Sequence, residues 1–183
     1  MSLKHGLLGL LNYGDMTGYE LDKTFKVSLN FFWQAQTSQI YRELTTMEKQ
    51  AWLTSIIIPQ TGKPNRKLYK ITDLGRTELK TWLSKKDLEE DLSVKNVFLM
   101  KMFFSAEVDS TDTIDTLKRY KSQCLADLQA MSQTGSTITD YGQDLKDKRN
   151  MVYWASTATF GVYYLNMCVK WAEDTIKTLE EIS

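Results

Sequence analysis

The chain has 183 residues and a mass of 21.2 kDa, enough for one sizeable core or two small domains. Its 42% apolar and 25% charged residues are ordinary for a globular protein, and the net formal charge is zero. Only 9 Gly and 2 Pro leave few tight turns, which excludes a collagen-like, disordered or many-stranded β-protein and predicts a mainly α fold. One histidine, His5, and two cysteines, Cys124 and Cys168, that form no CxxC pair leave no histidine-based relay beyond His5 and no metal set, so no catalytic residue, metal or cofactor is expected. Two thiols with no signal peptide before them point to a reducing cytoplasm, and no apolar run approaches the roughly 18 residues of a membrane span.

Leu3, Leu7, Leu8 and Leu11 lie at helical spacing, and Asn12-Tyr13-Gly14-Asp15 stops that helix. Thr17-Gly18-Tyr19-Glu20 has the form of a capping box, which opens a second helix over about 18–27. Phe31-Phe32-Trp33 is an apolar connection. A third helix starts at Thr37 or Ser38 and ends near Gln50, with Ile40, Leu44 and Met47 as its apolar stripe. Trp52 to Ile58 is rich in β-branched residues and reads as a strand, Pro59 to Asn65 as a turn, and Lys67 to Ile71 as a half-buried strand. The hairpin tip presents Lys63, Arg66 and Lys67. Thr72 or Asp73 then opens a helix carrying Leu74, Leu79, Trp82 and Leu83.

Beyond a charge-dense stretch at 85–91 the pattern changes. A short amphipathic helix is expected over roughly 93–104, with Val94, Val97, Phe98, Met100, Met102 and Phe103. A long helix follows from Ser110, with Ile114, Leu117, Cys124, Leu128 and Met131, its stripe interrupted by Lys121. A break is expected between Thr134-Gly135-Ser136 and Gly142, and a last helix over about 144–181. In that helix Ala158, Val162, Leu165, Val169, Ala172, Ile176 and Leu179 keep strict 4-3 spacing, the seam of a coiled coil. A second face adds Trp154, Phe160, Tyr163, Tyr164, Met167 and Trp171. One hairpin partner does not cover both faces, so a homodimer is expected, with Val162, Leu165, Val169, Ala172, Ile176 and Leu179 at its interface.

The zero net charge hides an asymmetry. Residues 1–86 carry 13 Lys/Arg against 7 Asp/Glu, and residues 87–183 carry 10 against 16. These are the expected domains: a basic module at 1–86 and a helical dimerisation domain at 87–183. A helix pair followed by a β-hairpin with a basic tip is the plan of a winged helix-turn-helix, in which one helix enters the major groove and the wing reaches the adjacent backbone or minor groove. On the third helix, Gln39 and Arg42 suit base edges or phosphate, Thr37, Ser38 and Thr45 suit phosphate, and Lys49 supplies charge. The Tyr41 ring fits packing while its hydroxyl fits phosphate. The residues alone leave each of these side chains open between DNA contact and solvated surface.

The combination of Met16-Thr17-Gly18-Tyr19-Glu20-Leu21, Phe32-Trp33, Ser38-Gln39-Ile40-Tyr41-Arg42-Glu43-Leu44, Met47-Glu48 and Tyr69-Lys70-Ile71-Thr72-Asp73-Leu74-Gly75-Arg76 resembles the PadR-like transcriptional regulators across residues 3–83. The long C-terminal half is similar to the subgroup that ends in a virulence-activator-like domain. The resemblance implies a homodimer that binds a double-stranded DNA operator, acts as a repressor, and is released by a small aromatic or hydrophobic effector. It places Gln39, Tyr41 and Arg42 toward the operator, Arg66 and Lys67 on the wing, and Gly18 and Tyr19 at a helix N-terminus that approaches phosphate.

The chain departs from the family at one point. Gln50 or Ala51 stands where a Gly usually follows the recognition helix, and a left-handed turn residue there is strained without Gly. An effector pocket, if built from the last helix, draws on Trp154, Tyr164 and Trp171, although aromatic stripes at helical spacing also serve as core. Two competing readings are a small-molecule sensor with degenerate DNA binding and a helical interaction protein.

Overall fold

The computed structural model describes residues 3–29, 32–62, 65–85, 96–132, 134–143, 145 and 147–182. Phe31, Lys63, Pro64, Val94 and the expected domain boundary after residue 86 lie outside them. The chain divides into two compact units, Met1–Asp91 and Leu92–Ser183.

The first unit runs α1 (Leu3–Leu11), β1 (Met16–Thr17), α2 (Gly18–Ser28), α3 (Thr37–Lys49), β2 (Leu53–Ile58), β3 (Arg66–Ile71) and α4 (Asp73–Ser84). Its core sits where α1 meets α2, α3, α4 and β3. Leu7, Leu8, Leu11, Leu21, Phe25, Ile40, Leu44, Met47 and Leu53 are fully buried there. Each such side chain contributes about 1.5–3 kcal/mol relative to exposure, so this cluster dominates the stability of the unit. The Ile40, Leu44, Met47 stripe points inward as the spacing requires, which turns the polar face of α3 outward.

The capping box forms. Glu20 N–H donates to Thr17 Oγ1 at 3.3 Å, and the Glu20 carboxylate accepts from Thr17 N–H at 2.8 Å. The sheet holds three strands rather than two, in the antiparallel order β1-β3-β2. The sequence reading missed β1 because its two residues, Met16 and Thr17, also begin the α2 cap, and a pairing this short has no periodicity. They lie opposite Tyr69 and Leu68.

Where the chain leaves α3, Ala51 has a φ of 55°, the left-handed conformation that glycine normally occupies. It is held there from both sides. The Thr72 hydroxyl lies 2.7 Å from the Ala51 carbonyl oxygen, and Thr72 N–H donates to Trp52 O at 3.0 Å. Gly75 lets α4 come close, since a Cβ at that position would lie 2.3 Å from Trp52 O.

The second unit contains α5 (Val97–Phe103), a 3-10 turn (Ser105–Glu107), α6 (Ser110–Met131), α7 (Thr134–Gly142) and α8 (Arg149–Ile182). Ile114 and Leu117 of α6 pack on Ala172 and Ile176 of α8, with Phe98, Met102, Tyr120, Trp171 and Leu179 around them. Lys121, the flaw in the α6 stripe, pairs with Glu173 at 3.4 Å. The expected break at 134–142 is instead helical. Packing of α7 on α8 overrides the weak helix propensity of its Gly, Thr and Ser residues. Gly142 gives Met151 room to pack, since a Cβ there would stand 2.6 Å from Met151 Sδ and make that side chain shift. The last helix starts at Arg149, five residues later than the sequence suggested, with Asp147 accepting from Arg149 N–H at 3.0 Å. Among the described residues no helix is long and apolar enough to cross a membrane.

Candidate nucleic-acid interface

The outward face of α3 carries Thr37, Ser38, Gln39, Tyr41, Arg42, Thr45 and Lys49, all exposed. They are not equally available. Thr37 is tied into a bridge between helices: its hydroxyl donates to Asp22 at 3.0 Å and accepts from Lys26 at 2.7 Å. Lys26 also pairs with Asp22 at 2.7 Å, so the bridge fixes the angle between α2 and α3. Gln39 commits its amide oxygen to Gln36 N–H at 2.8 Å. Thr45 donates back to the Tyr41 carbonyl at 3.0 Å.

The Tyr41 ring packs on the start of α2: a Cβ at buried Gly18 would lie 2.6 Å from Tyr41 Cε1 and 3.0 Å from its hydroxyl oxygen. Tyr19, 71% exposed, stands next to it. Thr17, Gly18, Tyr19, Tyr41, Asn65, Arg66, Lys67 and Tyr69 line a groove of about 380 Å³ between α2, α3 and the hairpin. The backbone N–H groups at the start of α2 and the Arg66 guanidinium therefore share one concavity, an arrangement that favours an anion. Glu20 sits close enough to Arg66 to feel its charge; its carboxyl is held below the usual range first by the Thr17 hydrogen bonds, with Arg66 adding to them.

At the hairpin, Lys67 departs from the sequence expectation of a free basic tip. Its Nζ lies 2.6 Å from Glu48 Oε2, and Glu48 also accepts from Ser55 Oγ at 2.5 Å. Burial opposes the Glu48 charge, but the hydrogen bonds from Lys67 and Ser55 prevail and hold its carboxyl below the usual range. The same bond raises the Lys67 pKa, so both partners stay ionised. Sequence reasoning did not pair Glu48 with Lys67: a partner 19 positions away across a turn leaves no local spacing signal. Lys63 lies outside the described residues.

The expected dimer residues divide. Ala172 and Ile176 are buried against Ile114 and Leu117 of the same chain, and Leu179 packs on that cluster. Val162, Leu165 and Val169 are half-buried on the same side of α8. The 4-3 seam thus faces its own chain, because a hairpin partner meets the same stripe that a second copy would. The open side of α8 carries Tyr153, Phe160, Tyr163 and Met167, at 71%, 65%, 72% and 56% exposure.

The expected effector residues are not gathered in one wall. Trp171 meets Tyr120 edge-on at 6.1 Å and Phe98 at 6.0 Å between centroids, while Phe98 stacks on Tyr120 at 4.6 Å. Tyr164 stacks on Phe160 at 6.4 Å, and Trp154 is half-buried. Burial raises the phenol pKa values of both Tyr120 and Tyr164, and the neighbouring Cys168 thiol adds to it. Phe98 and Tyr120 join the aromatic set only through packing, on elements far apart in sequence.

Residues 7–81 match the family model described as the transcriptional regulator PadR-like family, and residues 94–180 match that of the virulence activator alpha C-terminal domain. The chain is 34% identical over 130 residues to the negative transcriptional regulator PadR of Bacillus subtilis, covering 69% of this chain and 71% of that one. The fold is similar to a crystal structure of Bacillus subtilis PadR in complex with operator DNA, with a TM-score of 0.75, 25% identity and 98% and 99% of the two chains covered. A structure of the same regulator in complex with p-coumaric acid gives a TM-score of 0.69 at 24% identity, covering 97% and 94%.

Proposed function

The chain belongs to the PadR-like family of transcriptional regulators, and we propose on that premise that it is a homodimeric, sequence-specific repressor released by a small aromatic or hydrophobic effector. The observation that carries this reading is the shared groove of α2, α3 and the hairpin, with Arg66, Tyr41 and the α2 N-terminus around it. The 13 residues of α3 span about 20 Å, a length that suits the major groove. Arg42 is the base reader, Gly18 and Tyr19 receive a phosphate at the helix start, and Lys49 and Arg66 neutralise the flanking backbone. The operator complex of the Bacillus relative supports this docking, and that relative's description as a negative regulator supports repression.

The dimer uses the open side of α8, where Tyr153, Phe160, Tyr163 and Met167 form an apolar stripe that the described residues leave exposed. Val162, Leu165 and Val169 flank that stripe. The effector site is centred on Trp171 with Phe98 and Tyr120, while Trp154 and Tyr164, expected with Trp171, stand apart from that cluster; p-coumaric acid bound to the relative supports a flat aromatic ligand. A cytoplasmic location belongs to the same reading.

Fluorescence anisotropy on duplex DNA from upstream of the protein's own gene, with a scrambled duplex as control and two salt concentrations, tests the reading. Tight, salt-dependent and sequence-selective binding is expected. Equal binding to both duplexes, or none, overturns it.

A further inference from the structure

The only two cysteines of the chain have no part in the function proposed above. Both are free, and both are buried, at 4% exposure each. Cys124 lies on α6 and Cys168 on α8, and these helices run antiparallel. Lys118 pairs with Glu180 at 3.7 Å, and Lys121, further along α6, pairs with Glu173, further back on α8, at 3.4 Å. Tyr120 and Trp171 meet across the same seam, with ring centroids 6.1 Å apart. One turn on from Tyr120 is Cys124, and one turn back from Trp171 is Cys168, so helical spacing brings both thiols to one level of the seam. The electrostatics agrees: burial raises the Cys124 pKa, and the Cys168 thiol beside it adds to the rise. Two packed thiols fill core volume as any small apolar side chains do, but they are also a complete dithiol.

We infer that Cys124 and Cys168 are a redox modification site, which a peroxide converts to a disulfide within the chain that locks α6 to α8. The inference is independent of DNA binding. One thiolate attacks a peroxide oxygen, the O–O bond breaks, and a sulfenic acid forms while hydroxide leaves with the thiol proton as water. The second thiol then attacks that sulfur. The S–S bond forms, the S–O bond breaks, and the hydroxide takes the remaining thiol proton to leave as water. The cysteines lose two electrons, and hydrogen peroxide is reduced to two waters. Burial disfavours the thiolate, which keeps the pair reduced until oxidant is abundant. Once a sulfenic acid has formed, its neighbouring thiol meets it before another peroxide does, so oxidation stops at the disulfide. Tyr120 and Trp171 each lie one turn from a bonded cysteine, so the cross-link fixes their register as well.

The test treats the folded full chain with hydrogen peroxide. Thiols are counted after unfolding, peptides are mapped without reductant, and thermal melts are recorded before and after treatment. Both thiols are expected to be lost, with one linked pair of peptides that contain Cys124 and Cys168 and a single-chain band on a non-reducing gel. The Tm is expected to rise by about 5 °C, and dithiothreitol to reverse each change. Cys124→Ala, melted before and after the same treatment, is expected to show no such gain, which separates the cross-link from oxidation elsewhere. Thiols that survive while the exposed Met100 and Met167 are oxidised overturn the inference, since the oxidant then reached the protein and not the pair. So do a sulfinic acid at either cysteine, a disulfide that joins two chains, and a cross-link that lowers the Tm, because each means that the native seam does not accept the bond.

Discussion

Lys67 Nζ lies 2.6 Å from Glu48 Oε2, so a wing cation is joined to the last turn of α3, the helix proposed to face DNA. Exposed ion pairs of this kind contribute little stability, typically below about 1 kcal/mol. Their consequence here is electrostatic: one positive charge of the wing is cancelled, and the wing is fixed to α3. Glu48→Gln is expected to release Lys67 for phosphate, raise nonspecific DNA affinity several-fold at low salt and steepen the salt slope by about one. Anisotropy on scrambled duplex across a salt series reads this directly. An unchanged slope means that Lys67 already reaches phosphate from within the pair.

Ala51 carries the left-handed turn between α3 and β2 at a φ of 55°. A non-glycine residue there costs roughly 1–2 kcal/mol, partly offset because alanine also restricts the unfolded chain. Ala51→Gly is expected to stabilise the protein by about 1 kcal/mol and raise the Tm by a few degrees, with DNA affinity unchanged. Ala51→Val is expected to do the opposite. Thermal melts of the three proteins check it. A lower Tm for the glycine variant would falsify the assignment of strain to this residue.

The elements of the first unit were legible because its signals are local. The α2 cap, the α3 stripe and the alternating hairpin strand each follow from residues within one or two turns of each other. The turn at Ala51 was marked by the family resemblance rather than by spacing: a Gly is usual there, its absence suggested a different exit from the helix, and the chain instead keeps the left-handed turn on alanine. What escaped was everything set by long-range pairing. Glu48 reaches Lys67 across a turn, β1 exists only because Thr17 and Met16 meet Leu68 and Tyr69, and Phe98 of α5 meets Trp171 by packing on the α6–α8 helix pair. The 4-3 pattern of α8 was correctly read as a seam, but periodicity alone does not say whether the partner helix is another copy or α6 of the same chain.

His5 adds a pH dependence. It stacks on Trp82 at 4.5 Å with a 4° interplanar angle, and its Nε2 lies 2.9 Å from Glu78 Oε1. Nδ1 is buried without a hydrogen-bond partner, which places the single proton on Nε2, donating to Glu78. Burial pulls the His5 pKa below its ordinary value, and Lys4 adds to that, against the opposing bond to Glu78. The folded state therefore takes up this proton later than the unfolded chain does. Stability is fully present above the unfolded value of about 6.5 and declines as pH falls below it, until the folded histidine is also protonated. His5→Leu is expected to remove that decline between pH 7 and 5. Denaturant melts at a series of pH values measure it; a wild-type slope retained in His5→Leu assigns the effect to other groups, since Glu78, itself held low by His5, releases its contribution only at more acidic pH.

Two substitutions on α8 separate the proposed dimer face from the core of the α6–α8 helix pair. Tyr163 is 72% exposed on the open side, whereas Ala172 is fully buried against α6. A charge at Tyr163 meets water in the monomer and another copy in the dimer, so Tyr163→Glu is expected to leave helicity intact and shift the mass in light scattering from dimer to monomer. A charge at Ala172 has no partner inside the helix pair, and burying it is costly enough to separate α6 from α8. Ala172→Asp is accordingly expected to lower helicity and Tm before any change in subunit number is seen. If Tyr163→Glu remains dimeric while Ala172→Asp folds and turns monomeric, the seam itself joins the subunits, and the packing of Ala172 on Ile114 and Leu117 has to be exchanged between copies.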